Sequence, residues 1–103
     1  MHALIAERQQ DMAIVCRHYD VARLEVFGSA ARGDDFDPAT SDADFLVEFL
    51  PHSRMAPMEQ FFGLAKALEV LLARPVDLVE LSAIENPYIQ AAINRSREVV
   101  YGA

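Results

Sequence analysis

A glycine turn followed by two closely spaced acids is the feature that most constrains how this chain folds. Gly28-Ser29 comes directly after a short apolar stretch, and Asp42 and Asp44 stand just before a second one, Phe45-Leu46-Val47. Side chains at positions i and i+2 of a strand point to the same face, so these two carboxylates lie side by side at the mouth of a buried strand. Carboxylates that close repel each other unless a cation lies between them. The spacing therefore favours Mg²⁺, which prefers oxygen ligands and shares them with substrate phosphates.

A third acid is expected to join this pair from a later strand. Asp77 lies in Val76-Asp77-Leu78-Val79, at the start of an apolar stretch. If this strand lies beside the one that carries Asp42 and Asp44, three carboxylates converge on one sheet face. Two of them can bridge two Mg²⁺ ions about 3.5–4 Å apart, as in phosphoryl transfer, and the third can accept the proton of an incoming hydroxyl. Taken singly, an Asp-x-Asp pair more often caps a turn, and an acid at a strand start is often only exposed.

The glycine turn offers the phosphate-binding half of such a site. Gly28 allows the backbone to approach a phosphate closely, and the amide of Ser29 and those after it can point at phosphate oxygens. The Ser29 hydroxyl adds a further donor. Arg32 can bind a phosphate through two parallel hydrogen bonds, or it can hold the acidic loop that follows it.

Length and charge limit the classes of protein to which the chain can belong. Its 103 residues suffice for a single domain, residues 1–103, with one core. The net charge of −7 argues against DNA or RNA as a partner, because polyanion binders carry a basic excess. No stretch is apolar enough to span a membrane, and Met1-His2-Ala3-Leu4 lacks the pattern of a secretory signal. Cys16 is the single cysteine, so a core position in a reducing cytoplasm is expected.

Hydrophobic spacing predicts alternating helices and strands. The predicted helices cover residues 3–18, 57–73 and 87–97, with a helical turn at 29–32. The predicted strands cover residues 23–27, 42–49 and 76–81, with a polar loop at 33–41 and an extended tail at 99–101. Asn86-Pro87 has the pattern of an N-cap followed by proline at the first helical position. This order predicts an α/β (α+β) domain, a small mixed β-sheet with helices on one face.

Two further expectations concern the faces of these elements. The helix over residues 57–73 carries an apolar stripe that is predicted to be core: Met58, Phe61, Phe62, Ala65, Leu68, Leu71 and Leu72. Leu46, Val79 and Leu81 share the sheet face of the acids, and the helices suffice to cover only the other face of a three-stranded sheet. An uncovered apolar face usually marks a partner surface. The acceptor, or a subunit that shapes its site, is therefore expected to come from another chain.

Together these motifs resemble the polymerase-β-type nucleotidyltransferase superfamily. The resemblance is carried by Gly28-Ser29, Arg32-Gly33-Asp34, Ser41-Asp42-Ala43-Asp44 and the later strand acid Asp77. In its short length and in the motif Gly-Ser-Ala-Ala-Arg-Gly-Asp, the chain is most similar to the minimal nucleotidyltransferase (MNT) proteins. The loop over residues 34–40 is longer than this family's pattern leads one to expect.

The resemblance implies a reaction and a set of roles. A hydroxyl of an acceptor attacks the α-phosphate of a nucleoside triphosphate, usually ATP, and pyrophosphate leaves. Gly28 and Ser29 hold the triphosphate, and Asp42 and Asp44 ligate both metal ions. Asp77 ligates one ion and activates the acceptor. MNT proteins are commonly encoded beside a HEPN-domain protein, and they resemble antitoxins that adenylylate a tyrosine of that toxic ribonuclease or simply bind it.

Three functions of different classes remain open on these residues. The leading hypothesis is a Mg²⁺-dependent nucleotidyltransferase that adenylylates a HEPN partner, as the antitoxin of a type VII-like toxin–antitoxin pair. The second is a binding module that neutralises its partner stoichiometrically, with idle acids. The third is a transferase for a small hydroxylated molecule such as an aminoglycoside, which ranks last because such enzymes usually carry an added acceptor domain.

Overall fold

A mixed β-sheet forms the centre of the molecule in a computed structural model that describes residues 1–32 and 42–103. Within these ranges it has four strands, in the spatial order β3-β2-β1-β4: β1 (Val21–Phe27), β2 (Ala43–Phe49), β3 (Val76–Glu80) and β4 (Glu98–Gly102). β1 pairs antiparallel with β2 and β4, whereas β2 and β3 are parallel. The predicted polar loop, with the motif residues Gly33, Asp34 and Ser41, lies outside the described residues.

Helices cover mainly one face of this sheet. They are α1 (Ala3–Glu7), α2 (Gln9–His18), α3 (Ser29–Arg32), α4 (Pro57–Leu72) and α5 (Pro87–Asn94), with a 3₁₀ turn at Leu81–Ala83. The core lies between this face and the helices, and includes Ile5, Met12, Leu24, Val26, Phe45, Val47, Leu64 and Leu68. The predicted fold class is confirmed. No helix in the described ranges is long and apolar enough to cross a membrane.

Two elements differ from the prediction. The single helix expected over residues 3–18 is two helices that meet at Arg8, whose φ of −101° departs from helical geometry. The tail expected at 99–101 is a full strand, so the sheet has four strands in the described chain rather than three. The free edge of β1 needs partners for its backbone N–H and C=O groups. β4 supplies them and buries Val100 against the helices.

The buried side of α4 is rotated relative to the predicted stripe. Its buried residues recur at every fourth position: Gln60, Leu64, Leu68 and Leu72. The prediction is wrong for Met58 and Phe62, which are 71% and 61% exposed. Gln60 is drawn inward because its side-chain amide donates to the backbone carbonyl of Tyr19 at 2.8 Å. This contact ties the buried side of α4 to the end of α2, and the predicted stripe is buried only in part.

Cys16 is a core residue, as the sequence predicted, and its thiol is expected to be inert in the folded protein. It is fully buried, and this burial raises the pKa of the thiol to about 12. Because the thiolate is the reactive form, a disulfide reagent such as dithionitrobenzoate should label one thiol only after unfolding in guanidinium. Release of the coloured thiol measures this, and rapid labelling of folded protein would contradict it.

Candidate functional site

The register of two neighbouring strands brings two of the predicted acids together. Parallel pairing of β2 and β3 sets Asp44 opposite Asp77 and Leu46 opposite Val79. Paired residues in adjacent strands present their side chains to the same face. The carboxyl groups of Asp44 and Asp77 are close enough to share a hydrogen bond. The predicted convergence of acids on one sheet face is therefore present for Asp44 and Asp77.

The third predicted acid stands beside the pair. Asp42 lies one residue before β2 and is exposed. Its negative charge acts on Asp44, so the two carboxyls are within electrostatic reach. In the described part of the chain, no three His, Cys, Asp or Glu side chains are gathered into a ready-made metal centre. The fold thus forms an acid pair, Asp44 with Asp77, with Asp42 at its margin.

The electrostatics of the pair show whether a cation fits. Burial, followed by repulsion from Asp77 and from Asp42, raises the pKa of Asp44 to about 6. Such a shift means that the ionised carboxyl lacks a compensating positive charge. A divalent cation would supply that charge, and carboxylate oxygens are the ligands that Mg²⁺ prefers. The donor set of Asp42, Asp44 and Asp77 therefore fits Mg²⁺.

Gly28 brings the backbone against this acid pair. Its φ is +68°, a left-handed conformation, and a Cβ added to it would lie 2.7 Å from Oδ2 of Asp44. Only a residue without a side chain allows this approach without strain. Phe27 pairs with Asp44 across β1 and β2, which carries the turn to the end of the sheet where the acids lie. The carbonyl of Gly28 then accepts hydrogen bonds from the amides of Ala31 and Arg32, each at 3.1 Å, and α3 begins.

A cleft of about 430 Å³ opens beside the acid pair. Gly28, Arg32, Asp44 and Asp77 line it on the sheet side, together with Phe27 and Val79, and α5 and the segment after it line the other side. Of the predicted site residues, Ser29 is half-buried in the first turn of α3, and Ser29 and Asp42 lie outside this lining. The structure therefore brings together four of the six predicted residues in one cleft.

The α5 wall of the cleft is a part of the site that the sequence did not indicate. It consists of Ile89, Ala92, Ile93 and Ser96. The hydroxyl of Ser96 accepts a hydrogen bond from the backbone amide of Gly28 at 3.0 Å, across 68 positions of the sequence. No local motif distinguishes this serine from the others. Only the docking of α5 across the strand ends reveals it.

The apolar part of the acid face is covered more than the sequence predicted. The expectation of an uncovered apolar face is wrong for Leu46, which is 2% exposed, and in part for Val79 and Leu81, which are half-buried. The 3₁₀ turn folds back onto β2, and the side chain of Arg97 reaches across the sheet to Glu25 on β1. What stays open on this face is the cleft between the acid pair and α5.

Removal of the Asp44 charge is expected to stabilise the metal-free protein at neutral pH. The folded pKa of about 6 lies above the unfolded value. Asp44 therefore makes its full contribution to the free energy of unfolding below the pKa that it has in the unfolded chain, about 3.9. This contribution is lost as the pH rises through the pKa that Asp44 has in the folded protein. Because solvent screens the half-buried carboxyl, Asp44→Asn is expected to gain about 1 kcal/mol.

Urea unfolding in the presence of a chelator measures this gain. We expect Asp44→Asn to exceed the wild type at neutral pH and to match it below about pH 3, where Asp44 is protonated in both states. Glu85→Gln removes an exposed carboxylate that is not part of the cleft lining and serves as the control. An Asp44→Asn protein that is less stable than the wild type at neutral pH contradicts the prediction.

Comparison with known proteins identifies the family. A model of the nucleotidyltransferase domain matches residues 12–100 of the chain. The chain belongs to the nucleotidyltransferase domain family. It is 40% identical over 80 residues to a Methanocaldococcus jannaschii protein with the provisional name protein adenylyltransferase MJ0128, across 78% of this chain and 76% of that relative. The predicted class of enzyme, a nucleotidyltransferase, is confirmed.

Solved structures share the fold of this nucleotidyltransferase. One, provisionally described as a minimal nucleotidyltransferase, has a TM-score of 0.72 and 29% identity and covers 95% of both chains. Another is described as a tri-AMPylated Shewanella oneidensis HEPN toxin in complex with an MNT antitoxin. The match to it has a TM-score of 0.65 and 17% identity, over 96% of this chain and 73% of that chain. The predicted resemblance to MNT proteins is confirmed, and the roles of individual residues stay predictions.

Proposed function

We propose that this nucleotidyltransferase transfers AMP from ATP to a tyrosine hydroxyl of a HEPN-domain partner, with Mg²⁺, and so acts as the antitoxin of that partner. The observation that carries the proposal is the position of the Asp44–Asp77 pair against the glycine turn. A Cβ added to Gly28 would lie only 2.7 Å from Oδ2 of Asp44. With these residues in the proposed roles, the phosphate site lies next to the cation site, as phosphoryl transfer requires.

The proposal that the acceptor is a protein rests on the names of the relatives. A protein of 40% identity is provisionally named a protein adenylyltransferase, and a structure of the same fold is described as an AMPylated HEPN toxin with its MNT antitoxin. Both support a protein acceptor over a small molecule. We propose that residues 1–103 form one minimal transferase domain in the cytoplasm, in a hetero-oligomer whose HEPN subunit presents the acceptor at the open cleft. The net charge of −7 is consistent with a protein partner rather than DNA or RNA.

The proposed roles follow from position in and beside the cleft. Gly28 allows the backbone to approach the triphosphate closely, the amide and hydroxyl of Ser29 hold it, and Arg32 binds a phosphate oxygen at the margin. Asp42, Asp44 and Asp77 hold two Mg²⁺ ions, which when bound offset the negative charge of the triphosphate and activate the incoming hydroxyl.

Asp77 also accepts the proton of that hydroxyl. A bond forms between the tyrosine oxygen and the α-phosphorus. The bond from that phosphorus to the bridging oxygen breaks, and pyrophosphate leaves with its electron pair.

The position of a radioactive label tests this reaction. The protein is incubated with its HEPN partner and Mg²⁺, and with ATP labelled either at the α-phosphate or at the γ-phosphate. We expect the partner to acquire the α-label only, on a tyrosine identified by mass spectrometry, and to acquire none in the presence of a chelator. Transfer of the γ-label, or no transfer of either label, contradicts the proposal.

A non-catalytic antitoxin is the second candidate function. It is favoured by the absence, among the described residues, of a tight cluster of three metal-ligating side chains. Its test is protection of cells from the HEPN partner by Asp42→Asn and Asp44→Asn. Full protection without label transfer supports the binding antitoxin, and loss of both supports the enzyme.

A further inference from the structure

The glycine turn is held from two sides. On one side the carboxylate of Asp44 lies against Gly28, and on the other the hydroxyl of Ser96 binds the Gly28 amide at 3.0 Å. Ser96 follows the end of α5 and is half-buried in the lining of the cleft, with Asp44 and Asp77. The glycine turn is therefore in contact with both the acid pair and the residues that follow α5.

The end of α5 is anchored by the residue after Ser96. Nη2 of Arg97 lies 2.7 Å from Oε2 of Glu25, and Nη1 of Arg97 donates to Oδ1 of Asn94 at 2.8 Å. Glu25 is only 3% exposed, and Arg23 binds its other oxygen at 2.8 Å. Because a buried carboxylate is costly to leave without a charged partner, the Glu25–Arg97 ion pair holds Arg97 against β1.

These two contacts form a two-point clip between the adjacent residues Ser96 and Arg97 and the segment that runs from Glu25 to Gly28. Ser96 binds Gly28, and Arg97 binds Glu25, three residues earlier on the same strand-turn segment. A single contact leaves α5 free to pivot about it, whereas two contacts also set its angle. We infer that Ser96 and Arg97 are positioning residues, which hold the glycine turn at the distance from Asp44 that a Mg²⁺-bound nucleoside triphosphate needs.

The inference rests on the proposed function, which identifies the ligand as a nucleoside triphosphate. It excludes a different role for Ser96. If the hydroxyl only occupied the Gly28 amide until a phosphate oxygen replaced it, removal of the hydroxyl would strengthen nucleotide binding. The anchoring of Arg97 opposes such displacement, because Ser96 cannot leave the turn far without straining the ion pair with Glu25. The two roles therefore predict opposite changes in affinity.

Calorimetric titration with a non-hydrolysable ATP analogue and Mg²⁺ distinguishes these roles. We expect Ser96→Ala to raise the Kd about five- to tenfold, the usual effect of losing one hydrogen bond. Ser96→Thr keeps the hydroxyl and should restore the affinity of the wild type. Ser82→Ala, which truncates an exposed serine on the 3₁₀ turn, is the matched control and should change nothing.

The amide resonance of Gly28 in the ligand-free protein provides a second readout that does not depend on nucleotide. Ser96→Ala should shift this resonance, and Ser96→Thr should bring it back. Arg97→Lys keeps the positive charge but loses the second hydrogen bond to Asn94. It should raise the Kd about two- to threefold, whereas Arg95→Lys, at an exposed arginine two residues earlier, should not.

The outcomes separate this inference from the proposed function. Binding of the analogue by the wild type with an unchanged or lower Kd for Ser96→Ala overturns the positioning role alone. An unshifted Gly28 resonance in Ser96→Ala also overturns it. Absence of analogue binding by the wild type overturns the proposed function and, with it, the ligand assigned to the clip.

Discussion

Asp44→Asn is expected to lower the rate of AMP transfer about 10³-fold. Asp44 is the carboxylate nearest the glycine turn and faces Asp77 across β2 and β3. An amide in its place removes a negative metal ligand and leaves a site of weaker cation affinity. Metal coordination supplies several kcal/mol of transition-state stabilisation, and each 1.36 kcal/mol corresponds to about a tenfold change in rate.

The initial rate of α-label transfer to the partner, at saturating ATP, measures this loss. Glu48→Gln neutralises an exposed acid on the same strand and should retain the rate of the wild type. Because Asp44→Asn is also expected to stabilise the metal-free fold at neutral pH, the urea experiment on the same variant distinguishes loss of catalysis from unfolding. An Asp44→Asn protein within about tenfold of the wild-type rate contradicts the metal-binding role of this residue.

Gly28→Ala is expected to reduce both stability and transfer. A non-glycine residue at a φ of +68° costs about 1–2 kcal/mol, and the new Cβ meets Oδ2 of Asp44 at 2.7 Å. The carboxylate or the turn must move, and a displacement of about 1 Å at a reacting centre can cost about 10² in rate. We therefore expect a loss of about 1–3 kcal/mol in the free energy of unfolding and about a 10²-fold slower transfer.

Gly102→Ala is the matched control for this substitution. A Cβ added at Gly102 meets nothing within 4 Å, and this glycine lies at the end of β4, away from the acid pair. Urea unfolding and the label-transfer rate should be close to the wild type for Gly102→Ala and changed in both respects for Gly28→Ala. Equal behaviour of the two variants would mean that the left-handed turn and its contact with Asp44 are unimportant.

Local patterns were sufficient to predict most of the elements that hold the site. Asn86 caps α5 through a hydrogen bond to the amide of Tyr88, directly before Pro87, as the sequence pattern indicates. Alternation on the β3 segment predicted that Asp77 and Val79 share a face, and the register with β2 agrees. Such features depend on residues a few positions apart, so they can be read without knowing the tertiary structure.

Other features depend on distant neighbours and escaped the sequence argument. The stripe of α4 that contains Met58 and Phe62 has the right helical spacing, but the side of the helix that carries Gln60 and Leu64 faces the core, where Gln60 donates to the Tyr19 carbonyl. The tail around Val100 is too short to be predicted as a strand until the open edge of β1 is known.

The order of residues along the chain determined by itself which chemistry is available. A glycine turn, two acids at strand spacing and one later strand acid suffice to indicate cation and phosphate binding, because each motif is short and its backbone preference is local. Only the tertiary structure decided that Asp44 meets Asp77, that Asp42 stands aside in the open, and that Ser96 holds Gly28. These contacts arise from strand register and helix docking, whose free energies are sums over the whole core and leave no signature at any single position.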